Sequence, residues 1–339
     1  MKKALLWIVG LVVVLAVGYA VGPDAPEADL DPTLPVVSQN LTELEADIQR
    51  TEAAIPDMKP DNEARIIWAD TVTKQKTLYS IVYIHGFGAT WAEGDPVHRN
   101  LAKRYGANLY VARLHDAGIS DPNAFDDLTP ENFVAGAKRA LAIGKALGDS
   151  VIVIGTSAGG LLTVYLASTN PEIKGVVLYS PCMAVYNGAL KLTTGPWGEQ
   201  LLHSLLGERR DDMNYTPDRA QYWLTSYDSD GLLTLQQTMD AVSQPEVYAK
   251  IKMPLFLGYY YKNEEEQDKV VSVKAMQEMF PLLGTPAALK VENAFPESGD
   301  HVIASHFTSK DLNGVQQATE EFFENVLGLK PVTVPVAQQ

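Results

Sequence analysis

The stretch "VIVIGTSAGGLLTVYLAS", Val151 to Ser168, decides how the rest of the chain is read. A Val/Ile run ends at Gly155, and a helical pattern starts just past Gly159. A short apolar run bounded by glycine suits a strand buried on both faces. Ser157 stands at the junction between two glycines, where core packing gives no reason for a serine. A tight strand-to-helix turn forces strained backbone angles on that residue. Side chains at 155 and 159 would then collide with the neighbouring strand and helix, so glycine there relieves the crowding. The hydroxyl is held out above the sheet, beside a helix N-terminus whose amides favour developing negative charge.

Outward from this junction the pattern alternates. "ARIIWA" reads as a short strand, and "TLYSIVYIHG" (Thr77 to Gly86) as a longer one. "DPVHRNLAKRYG" reads as a helix and "ANLYVARL" as a strand. "TPENFVAGAKRALAIGKALG" reads as a helix capped by Thr129 with Pro130 at its first position. The strand "IKGVVLYSP" follows the helix after Ser157. Continuous Val/Ile strands alternating with helices predict a mostly parallel sheet covered on both faces.

The rhythm breaks between Pro181 and Lys250, where the sequence is helical in outline, turn-rich and dense in aromatics. It resumes with "MPLFLGYYY", the helix "SVKAMQEMF", the strand "AALKVEN" and the helix "NGVQQATEEFFENVLG". The core is therefore expected over 62–180 and 251–330, with a cap inserted at 181–250. The tail from Lys330 reads as frayed.

Ahead of the core, Lys2 and Lys3 precede 19 uncharged residues, Ala4 to Gly22. As a helix this run would reach roughly 28 Å, close to the bilayer's hydrocarbon thickness of about 30 Å. Residues 1–22 thus read as a signal anchor, with a cleaved signal peptide as the alternative through Gly18-Tyr19-Ala20. Either way the rest of the chain is expected on the exported, extracytoplasmic side, tied to the membrane by its N-terminal helix or secreted. Within 23–61, the segment Pro23 to Pro35 holds four prolines and four acids and reads as an extended tether. An amphipathic helix on Leu41, Leu44 and Ile48 follows and ends by Pro56.

Bulk properties exclude some functions. The net charge of −15 argues against nucleic acid as a partner. Cys182 is the sole cysteine, so neither an internal disulfide nor a cysteine-built zinc site is possible. It reads as a small packing residue.

"GTSAG" (Gly155 to Gly159) fits Gly-x-Ser-x-Gly in the required strand-to-helix context. A serine is a poor nucleophile unless a base takes its proton, and acyl transfer needs donors aimed at the oxyanion. In "YIHGFGAT" the backbone N–H of Phe87 is the expected first donor and that of Ala158 the second. His85 reads as a residue that shapes the loop.

With these elements together, the chain resembles serine hydrolases of the α/β-hydrolase superfamily. Its style is that of the carboxylesterase, monoacylglycerol-lipase and proline-aminopeptidase-like members with a helical lid. The resemblance covers about Asn62 to Leu329 and implies a triad in the order Ser, acid, His. His301 in "FPESGDHVIAS" matches that family's late histidine, with His306 second. The acid is implied to be Asp268, ahead of Val270-Val271, with Glu266 as the alternative. This segment is two or three residues longer than the family pattern, and Glu264, Glu265 and Glu266 crowd it. "RLHDAG" (Arg113 to Gly118) also departs from the family, leaving His115 and Asp116 between a loop role and the pocket mouth.

The resemblance implies hydrolysis of carboxylic, acyl or lipid-like esters through Ser157, His301 and Asp268, with no cofactor or metal. Substrate choice is expected to lie with cap residues such as Trp197, Tyr222 and Trp223. Two rival readings remain. One is a peptidase using Glu208, Asp211 and Asp212 to hold an amino terminus; the other is an inactive, membrane-tethered binding domain.

Overall fold

The computed structural model describes residues 2–211 and 213–332; the side chains of residues 2–6, 8, 11, 15 and 16 also lie outside that description. One sheet of seven strands organises the core, in the order β1-β3-β2-β4-β5-β8-β9. Its strands are β1 (Arg65–Ile67), β2 (Thr77–Ile84), β3 (Asn108–Val111), β4 (Gly148–Thr156), β5 (Gly175–Tyr179), β8 (Leu255–Tyr259) and β9 (Lys290–Ala294). All neighbours run parallel except β1, which pairs antiparallel with β3 at the edge.

Strand alternation sorts the core into two layers. Ile81 and Tyr83 of β2, with Ile152 and Ile154 of β4, pack on the face that Leu101, Phe322 and Phe323 cover. Those three come from α3 (Val97–Tyr105) and α11 (Leu312–Asn325). Val82, Ile84 and Val153 point the other way, against Phe133, Leu141 and Leu161. That layer is built by α4 (Pro130–Leu147) and α5 (Ala158–Thr169). Thr129 caps α4 as expected, and Asn132 returns the bond to complete a capping box.

Upstream, α1 spans Lys2–Ala20. Among the described residues no helix is long and apolar enough to cross a membrane. The anchor expected over 1–22 therefore has no support from the structure, and several of its side chains lie outside the description. The segment after it is extended but not a free tether. Asp31 O accepts from Lys138 Nζ at 2.7 Å and Tyr165 Oη at 2.9 Å, strapping the segment across α4 and α5. Helix α2 (Leu41–Ala53) buries Leu44 and Ile48, and its Glu52 forms an ion pair with Arg113 at 2.6 Å.

The insertion between β5 and β8 forms the cap. It contains α6 (Gly198–Leu206), α7 (Pro217–Ala220), α8 (Asp230–Val242) and α9 (Pro245–Tyr248). Two-residue strands β6 (Arg209–Arg210) and β7 (Tyr227–Asp228) pair antiparallel within it, so the helical outline expected there holds only in part. The tail begins tied down, with Val332 N donating to Arg104 O at 2.9 Å. Residues 333–339 lie outside the description.

Candidate active site

Ser157 follows the last residue of β4 and precedes the first of α5. Its φ of 54° and ψ of −121° lie where a side chain is strained, as a tight elbow demands. The flanking glycines are sterically required. A Cβ on Gly155 would lie 2.3 Å from Thr163 Oγ1, and one on Gly159 only 2.1 Å from Ile84 O. Ser157 N donates to Tyr179 O and Ser157 O accepts from Cys182 N, both at 2.9 Å, which fixes the strained residue from two sides.

Asp268, the expected acid, comes from the connection after β8. Asp268 Oδ1 accepts from the N–H groups of Val270 (2.8 Å) and Val271 (3.0 Å), while Oδ2 meets His301 Nδ1 at 2.5 Å. Burial would push this carboxyl up, but the His301 charge and these hydrogen bonds hold it below the usual aspartate range. Glu266 lines the cavity too, but it is exposed, its carboxylate is bonded to Lys262 and Asn263, and no hydrogen bond joins it to His301 among the described residues. The extra residues close a small loop, with Tyr261 bridging to Gln267, before Asp268 is reached. The longer segment is thereby accommodated without displacing the carboxylate.

His301 follows β9 through the turn Phe295–Asp300, with its carbonyl held by Ser180 Oγ at 2.8 Å. Burial pulls the imidazole pKa down, yet Asp268 outweighs it and raises the group above 6.5. Ser157 and His301 line one cavity of about 740 Å³, together with Phe87 and Asp268. Among the described residues no hydrogen bond joins Ser157 Oγ to His301, a separation common before substrate closes such a site. His306 instead bonds Asp95 O and stacks on Phe307.

The loop expected to supply the Phe87 oxyanion amide leaves β2 at Ile84. His85 accepts from Leu114 N at 3.0 Å through Nε2, so Nδ1 carries the proton and donates to Gly86 O at 2.8 Å. Burial lowers its pKa to about 4 and keeps it neutral. The Phe87 ring packs on Phe125 and Tyr227, forming an aromatic wall. Ala158 opens α5, where the first amides lack helical acceptors.

Two charged groups in the cavity were not legible from the sequence. Glu93 is fully buried and accepts from Gly86 N at 2.5 Å and Tyr83 Oη at 3.2 Å. Burial raises its carboxyl to about 7. Arg219, from α7 of the cap, lines the same space. Of the cap aromatics named above, Trp223 lines the cavity. Trp197 instead bonds Gly18 O and Tyr222 bonds Asp61, so both are corrected to packing roles.

His115 bonds Asp127 and Asp116 bonds Phe125 N, outside the cavity, which gives that departure a loop role. Glu208 and Asp211 do not line the cavity, and Asp212 lies outside the described residues. Cys182 does line it, but burial pushes its thiol up to about 12. Among the described residues, two groups each bring three side chains of metal-ligating type together, His115 with Asp116 and Asp127, and Glu199 with His203 and Asp230. Neither reaches the cavity.

The profile of the Alpha/beta hydrolase family matches residues 81–311, from mid-β2 to the start of α11. The chain belongs to that family. No curated protein matches it. Among solved structures, this α/β-hydrolase is similar to a metagenome-derived lipolytic enzyme of the LipS and LipT pair. That match has 16% identity and a TM-score of 0.60 and covers 79% of this chain and 99% of the other. A monoglyceride lipase from Saccharomyces cerevisiae matches at 16% identity and 0.57, covering 77% and 91%. Est1E from Butyrivibrio proteoclasticus, with ferulic acid bound, matches at 15% identity and a TM-score of 0.57, covering 78% and 95%. At such identities the likeness establishes the fold.

Proposed function

We propose that this α/β-hydrolase cleaves carboxylic esters through Ser157, His301 and Asp268 with an acyl-enzyme intermediate. The observation that carries this reading is the 2.5 Å bond from His301 Nδ1 to Asp268 Oδ2 at the wall of the cavity that also exposes the strained Ser157. With Nδ1–H held by Asp268, Nε2 is the free base and takes the Ser157 proton as Oγ attacks the carbonyl. The amides of Phe87 and Ala158 receive the oxyanion. His301 then returns the proton to the leaving alcohol, and water enters by the same route in reverse.

Lipolytic and esterase neighbours and the largely apolar cavity wall support an acyl or lipid-like ester. Turnover of short-chain p-nitrophenyl esters, with fluorophosphonate labelling lost in Ser157→Ala, tests it. No turnover and no labelling of the wild type would sink it. Preferred cleavage of aminoacyl anilides would move the assignment to the peptidase reading. The basic start and the uncharged run of residues 4–22 are what support membrane attachment of an exported domain. Recovery of the full chain in the soluble fraction would count against attachment.

A further inference from the structure

Arg219 is an unusual resident of an otherwise largely apolar cavity wall. Its guanidinium carbon sits 4.5 Å from the Tyr215 ring centroid and 5.0 Å from that of Trp223. Two cap aromatics thus hold the head group in place. Its Nε is buried with no hydrogen-bond partner, and among the described residues the side chain forms no ion pair. Glu93 lines the same cavity and the two charges attract, but its carboxyl is committed to Gly86 N and Tyr83 Oη and, among the described residues, makes no hydrogen bond to the guanidinium. Lys269, the other cationic side chain lining the cavity besides His301, is exposed at the rim.

A guanidinium offers five donors in a flat fork that matches carboxylate and phosphate, and leaving a buried charged donor unpaired is costly. Ring contacts occupy its faces and leave the N–H edge without an acceptor. The same cavity holds Ser157 and His301, so whatever satisfies the fork is bound beside the reacting centre.

We propose that Arg219 anchors an oxyanion, a carboxylate or a phosphate, carried by the ester itself. This substrate class rests on the hydrolase reading above. Two pairs of esters test it. The acyl side is read by 4-nitrophenyl hydrogen glutarate against 4-nitrophenyl pentanoate, and the alcohol side by 1-butanoylglycerol 3-phosphate against 1-butanoylglycerol. In at least one pair the wild type prefers the anionic member by tenfold or more in kcat/KM. Arg219→Gln collapses that ratio mainly by raising KM for the anionic ester, and Arg219→Lys restores part of it. A ratio near one in both pairs, or an equal loss on all four esters, overturns the proposal.

If Arg219→Gln does not fold, wild-type protection decides the matter. Slower fluorophosphonate labelling of Ser157 in the presence of glutarate or glycerol 3-phosphate supports the anchor, and unchanged labelling overturns it. A wild type that is labelled but indifferent to charge loses only this inference. A wild type that is neither labelled nor active loses the hydrolase reading as well.

Discussion

Glu93 Oε2 accepts the Gly86 N–H at 2.5 Å, one residue before the amide assigned to the oxyanion. A Cβ on Gly86 would lie 2.7 Å from Glu93 Oε1 and 2.9 Å from Ser157 Cβ, so this carboxyl and the nucleophile flank the same glycine. Glu93→Leu leaves the buried Gly86 N–H without its acceptor, a loss of about 1–3 kcal/mol. It should also lower kcat on short esters by loosening the loop. Glu93→Gln keeps an acceptor and should lose far less. Urea melts and esterase rates on both variants check this.

Glu93 also carries a pH signature in stability. Burial raises its pKa from 4.5 to about 7 in the folded chain, so the native state binds the proton more tightly than the unfolded state. Relative to Glu93→Gln, wild-type stability should therefore be greatest below about pH 4.5 and fall as pH climbs through about 7. The swing is on the order of 3 kcal/mol. A difference that stays flat across that window would contradict it.

Catalysis has its own limb. His301 must be neutral to accept the Ser157 proton, and Asp268 raises its pKa above 6.5. The acidic midpoint of kcat/KM should lie above pH 6.5. Asp268→Asn removes the charge, moving the midpoint down while cutting kcat by about 10⁴. Because Glu93 also raises the His301 pKa, Glu93→Gln should shift the same midpoint downward by a smaller step. Full pH profiles of the three proteins separate these effects.

The elbow trades stability for geometry. Ser157→Gly should abolish turnover and raise stability by about 1 kcal/mol, since glycine adopts the strained angles without cost. Gly159→Ala should do the opposite. Its Cβ would meet backbone at Ile84 O, so the strand or the helix must move, with a cost of about 1–3 kcal/mol. Thermal melting of both variants reads the two signs.

The sheet and the strained turn at Ser157 were legible because both rest on short-range rules. Strand and helix periods differ, and only glycine fits at 155 and 159 beside a strained Ser157. His301 and Asp268 required the family's chain order, and Glu266 stayed open because counting residues cannot detect a loop that closes on itself. Glu93 and Arg219 left no signal. They line one cavity only because the cap folds a segment more than a hundred residues downstream over the loop after β2. The cap's aromatics were equally mute: Trp223 faces the cavity while its neighbour Tyr222 turns to Asp61. Hydropathy marked residues 4–22 strongly, yet that signal reports insertion preference and does not establish a docked helix.

The bridge between Tyr261 and Gln267 closes five residues into a loop, and two of them, Glu265 and Glu266, line the cavity. Extra sequence grafted there should leave the Asp268 carboxylate in place yet narrow the cavity mouth, slowing bulky esters more than small ones. Length and charge at that loop can thus tune entry to the cavity without moving Asp268.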